Sequence, residues 1–106
     1  MRPKSINILG KTYGVTYADK PSEVDIYRRQ SLWGQVDYWT RTIRIYDNKT
    51  ADEDVLQVLL HEALHAILSE LHMGDEKVGD EDTVDILALA LADMLMRNGW
   101  LKDGAE

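Results

Sequence analysis

A chain of 106 residues, 44% of them hydrophobic and 29% charged, suits one soluble globular domain and argues against a disordered or membrane-embedded one. The absence of cysteine rules out disulfides and thiolate metal sites, so any metal centre has to come from histidines and carboxylates. A net charge of −7 argues against direct nucleic-acid binding, which needs a basic surface to neutralise phosphate.

The charge is unevenly spread. Residues 1–50 carry about +4 and residues 51–106 about −11, so a basic sheet region is expected to face an acidic helical one. Solvated surface is the ordinary meaning of both, and a charge-steered protein partner the sharper one. The first residues lack the apolar run of a signal peptide, and charges interrupt the apolar stretches elsewhere. Cytoplasmic residence with no membrane association is the expectation.

In chain order, residues 5–9 alternate apolar and polar side chains, Gly10-Lys11 supplies a turn with glycine first, and residues 12–17 complete a β-hairpin. Ile6, Ile8, Tyr13, Val15 and Tyr17 are available to its core face. Pro21-Ser22 marks a turn, residues 24–27 suit a short strand, and the Arg28-Arg29 pair points to water more readily than to an anionic ligand. Residues 33–39 and 42–46 form a second hairpin around Thr40-Arg41, with Val36 and Tyr38 sharing a face with Ile43 and Ile45 while Asp37, Thr42 and Arg44 look the other way.

After the break at Asp47-Asn48-Lys49, the stretch Thr50-Ala51-Asp52-Glu53 reads as a capping box, and a helix is predicted from about Ala51 to His72, stopped by Gly74. Asp80 can cap a second helix over residues 81–97, ended by Asn98-Gly99, with a frayed tail at 101–106. That helix is apolar nearly all round, through Val84, Ile86, Leu87, Leu89, Leu91, Met94, Leu95 and Met96, so it is central to the fold or buried in a homo-oligomer. The expected class is α+β in one domain over 1–106: a small antiparallel sheet of two hairpins from residues 1–50, packed on two helices from residues 51–99.

The chemistry sits in the first helix, where His61-Glu62-Ala63-Leu64-His65 forms an H-E-x-x-H motif inside an apolar run. Residues four apart share a helix face, so His61 and His65 can offer imidazole nitrogens to one metal ion, while Glu62, a step round, can meet a metal-bound water without ligating. An accidental match would be expected on a solvated face. Here Val55, Leu56, Leu59, Leu60, Ala63, Leu64, Ile67 and Leu68 surround the motif, and polar groups in so apolar a helix need partners.

Two histidines hold zinc weakly, and a catalytic site normally has three protein ligands. No third histidine sits ten residues beyond His61, where Leu71 stands, and His72 better suits the negative end of the helix dipole. The alternative is a carboxylate from the second helix folded back on the first. Glu81, on the face of Val84, Asp85 and Ala88, is the first candidate ligand, with Asp85 and Asp82 as alternatives; helix-dipole stabilisation is the competing role for Glu81 and Asp82.

The sequence L-W-G-Q-V-D-Y, then T-I-R-I-Y, V-L-L-H-E-A-L-H-A-I-L and E-D-T-V-D-I-L-A-L-A-L resembles small phage-type ImmA/IrrE-like metallopeptidases over residues 30–98. The likeness is specific at His61, Glu62 and His65 and looser over the second helix. It implies a minimal gluzincin with Zn2+ at His61, His65 and Glu81, acting in the host cytoplasm on a protein substrate such as a repressor. SprT-like proteases share the helix motif, but the basic DNA-binding features associated with them are missing.

The expected activity is peptide hydrolysis by metal-activated water with Glu62 as general base. Tyr17, Tyr38, Tyr46 and His72 are the possible oxyanion donors, and a strand such as residues 42–46 could pair with an extended substrate. The rivals are a noncatalytic, metal-stabilised interaction module of phage origin and a metal-free assembly or regulatory protein.

Overall fold

A computed structural model describes residues 2–25, 32–72 and 81–98. The alternating segments pair as two hairpins: β1 (Ser5–Ile8) with β2 (Lys11–Ala18), and β3 (Gly34–Asp37) with β4 (Thr42–Tyr46), each antiparallel. The hairpins join through β2 and β4, which run parallel with Val15 opposite Ile43 and Tyr17 opposite Ile45. The sheet order is therefore β1-β2-β4-β3, a mixed sheet where two hairpins alone predict an antiparallel one. This arrangement makes β4 an interior strand and leaves β3 on the edge.

Alternation sets which residues meet the core. Ile8, Tyr13, Val15, Ile43 and Ile45 are buried on one face, with Ile6, Tyr17 and Val36 partly buried beside them. On the other face, Arg44 donates from Nε and Nη2 to the carbonyls of Val24 and Glu23. Those carbonyls belong to a short 3-10 turn at Pro21–Glu23, so Val24 closes that turn where a strand was expected. Ile26, Tyr27 and the Arg28-Arg29 pair lie outside the described residues, as do Gly74, Asp80, Gly99 and the tail.

The first turn is Leu9-Gly10, one residue earlier than expected, because Ile8 pairs with Lys11. Both turn residues have positive φ, 51° and 82°, and the Gly10 N–H donates to Asn7 Oδ1 at 3.0 Å. Leucine takes up the left-handed conformation at the cost of some strain, which glycine at the second position avoids.

Helix α1 (Asp52–Glu70) crosses the core face of the sheet. Val55, Leu59 and Ala63, at helical four-residue spacing, and Ala66 join the sheet residues in one buried cluster. The expected capping box does not form: Ala51 is the N-cap, so Thr50 sits one position too early to bond back, and its hydroxyl accepts from the Asn48 N–H instead. Arg2 organises this end, donating to Asp47, to Asp52 and to the Thr50 carbonyl.

Helix α2 (Glu81–Arg97) has the bounds the sequence predicts and rests on α1. It buries only Val84, Ala88 and Ala92, a four-residue repeat of small side chains that brings the two helices close. No helix among the described residues is long and apolar enough to cross a membrane.

Candidate metal centre

One turn of α1 separates His61 from His65, and their rings stand 5.0 Å apart between centroids. Both Nε2 atoms turn towards α2, where the carboxylate of Glu81 meets them from the first helical turn. Glu81 Oε1 contacts His61 Nε2 and lies 3.2 Å from His65 Nε2. Two nitrogens and a carboxylate oxygen lie within 4.8 Å of one another, the only such trio of metal-binding side chains among the described residues.

Local sequence explains the convergence. The small residues Val84, Ala88 and Ala92 share a helix face with Glu81 and Asp85, so the contact that packs α2 on α1 also delivers both acids to the histidines. Asp85, an alternative ligand by sequence, lies 3.3 Å through Oδ1 from His61 Nδ1. With a cation on Nε2, a carboxylate there would favour the tautomer with hydrogen on Nδ1. Asp82, the other alternative, is exposed and does not join the trio. His72 lies beyond the end of α1, exposed and with φ of 58°.

Each imidazole nitrogen that faces the carboxylate oxygen needs either a hydrogen or a metal ion between the two. Two nitrogens and one oxygen are a donor set that suits zinc and leave a fourth position for water. Burial pushes the Glu81 carboxyl up, but the bonds to His65 and His61 pull harder and hold it below its ordinary value.

Glu62 stands apart from the trio. It is buried, only 8% exposed, with Oε2 4.0 Å from His61 Nε2. Burial raises its pKa, partly offset by the two imidazoles and reinforced by Glu81. The site opens into a cleft of about 930 Å³ between α1 and β3, lined by Trp33, Gly34, Val36, Tyr38, Tyr46 and Val58 among others.

The oxyanion candidates separate in space. The Tyr17 hydroxyl donates to the Pro3 carbonyl at 2.7 Å, and Tyr46 sets its ring edge-on to Trp33, 5.2 Å away. Tyr38 lines the cleft, its pKa raised by burial and by the charges of Glu62 and Glu81. Sequence reasoning passed over Gly34, which lies against Val58 and Glu62. A glycine inside a strand pattern is a signal of close backbone approach, and that signal could have found it. Residues 42–46 cannot receive a substrate strand, because β4 is paired on both sides.

Compared with protein-family models, curated proteins and solved structures, the chain matches none.

Proposed function

We propose that this protein is a zinc-dependent peptidase of the kind its ImmA/IrrE-like sequence resemblance implies. The carrying observation is the meeting of His61, His65 and Glu81 in the lining of a cleft, with the Glu62 carboxylate buried beside them and outside the trio. His61, His65 and Glu81 would hold the ion, and Asp85 would orient His61 through Nδ1. Zinc held there would supply a nucleophilic water near neutral pH and Lewis acidity towards the scissile carbonyl.

The other steps belong to the chain. Glu62 accepts the water's proton and passes it to the leaving amine. The Tyr38 hydroxyl donates to the oxygen of the tetrahedral intermediate. β3, the edge strand among the described residues, offers backbone groups to an extended protein or peptide substrate laid in the cleft.

Glu62→Gln tests the reading directly. The variant is expected to keep its fold and its metal, measured by elemental analysis of tag-free protein, while peptide cleavage falls by about 10²- to 10⁴-fold, the usual contribution of a general base. Cleavage equal to wild type, or tag-free wild-type protein that takes up no divalent metal, would sink the proposal.

A further inference from the structure

We infer that Gly34 is a positioning residue for Glu62: the side chain missing from β3 leaves the space in which the Glu62 carboxylate stands beside the histidine pair. The consequence for catalysis rests on the peptidase reading above; the geometry does not. A Cβ placed on Gly34 would come within 2.6 Å of Val58 Cγ1, 3.1 Å of Glu62 Cγ and 3.2 Å of Glu62 Oε2. The first distance is too short for any real contact. The other two require the Glu62 side chain to give way.

Backbone freedom does not explain this glycine. Gly10 has the positive φ that favours glycine, and Gly34 does not. Gly34 sits in the regular ladder opposite Ile45, where any residue could satisfy the hydrogen-bonding pattern and where glycine weakens the strand. What it provides is room. Val58 and Glu62 are one turn apart on α1, so together they form the strip of helix against which β3 runs. Because β3 also borders the cleft, its distance from that strip decides where the Glu62 oxygens stand relative to His61, now 4.0 Å from Nε2.

Neither His61, His65 nor Glu81 is among the three nearest atoms that a Cβ at position 34 would meet. Adding a methyl group there should therefore press first on Val58 and on the proton carrier. Displacement of a reacting group by about 1 Å can lower turnover roughly 100-fold, so a shift of a few tenths of an ångström should still lower it roughly several-fold.

The test uses the full chain as Gly34→Ala, Val58→Ala and the double variant, with metal affinity, thermal melting, kcat and KM on one peptide, and crystal structures. Gly34→Ala is expected to bind metal as wild type does, to lose roughly several-fold in kcat with KM changed less than about threefold, and to show the Glu62 carboxylate displaced by a few tenths of an ångström. Val58→Ala removes the atom nearest to position 34. The double variant should remain slow relative to Val58→Ala alone, with its carboxylate still displaced. If Gly34→Ala fails to fold, the double variant carries the test without the shortest contact.

Recovery of kcat in the double variant would assign the defect to packing against Val58 and overturn the inference, as would a Glu62 carboxylate found in its original place. Wild-type protein that binds metal and cleaves no peptide would overturn the peptidase reading instead. The position of Glu62 in the variant crystals would still decide the role of Gly34.

Discussion

Helices α1 and α2 are similar in length and both apolar around most of their circumference, yet they are buried in opposite ways. Helix α1 lies between the sheet and α2 and buries large side chains, Val55, Leu56 and Leu59 among them. Helix α2 buries Val84, Ala88 and Ala92, while Ile86 at 66% and Leu89 at 55% exposure lead a set of larger side chains that face outward. The difference shows that apolar content around a helix does not reveal its packing face. In α2 the close-packed face is set by small residues, and that closeness is what brings Glu81 to the histidines.

The largest stability effect expected from this contrast comes from matched truncations. Leu59→Ala in α1 should cost about 2–5 kcal/mol, since it empties part of a packed core. Leu89→Ala in α2 should stay within about 0.5 kcal/mol if its face meets solvent. Urea melts of both variants at two protein concentrations check this. A cost for Leu89→Ala that approaches the core value and depends on concentration would mean that α2 pairs with a second copy, the homo-oligomer its sequence suggests.

A somewhat smaller effect sharpens the role of the small stripe. Ala88→Leu forces a larger side chain into the contact between the helices and should cost about 1–3 kcal/mol. Because Glu81 and Asp85 ride on the same face, the substitution should also weaken metal binding by about 10- to 100-fold, the range seen when supporting groups around a site are disturbed. Chelator competition alongside the melt measures both. Full loss of stability with unchanged metal affinity would separate the packing face from the delivery of Glu81.

How much of this was legible in the sequence follows from how local each contact is. The two hairpins and the inward faces of β2 and β4 followed from alternation, a property of adjacent residues. The parallel union of β2 with β4 brings together residues such as Val15 and Ile43 across a long stretch of chain, and no local pattern encodes it. The turn shifted to Leu9-Gly10 because pairing overruled the preference for glycine in the first place. At the site, His61, Glu62 and His65 were readable because helical spacing is local. Glu81 was reachable from its helix face and from the family resemblance. The contact between His61 Nδ1 and Asp85 Oδ1 and the space at Gly34 are tertiary contacts, and only the fold discloses them.

The helix C-termini give the smallest contrast. Glu70 ties α1 to the sheet, accepting from Lys11 Nζ at 2.6 Å and from the Tyr13 hydroxyl at 2.7 Å. Those bonds, Lys11 first, hold its carboxyl down to about 2 from an ordinary 4.5, so the folded state favours the carboxylate. Its stabilisation is complete above pH 4.5, shrinks as the pH falls and is gone below about 2. Glu70→Gln should therefore melt below wild type at pH 7, with the gap closing through that acid window. The counterpart in α2, Asp93 with Arg97, is an exposed pair within the helix, 2.8 Å apart. Asp93→Asn should cost no more than about 0.5 kcal/mol at low salt and less as salt is added. Thermal melts of both variants against pH and salt compare the two ends. If Glu70→Gln keeps a constant offset from wild type between pH 7 and 2, the tie between α1 and the sheet does not depend on the Glu70 charge.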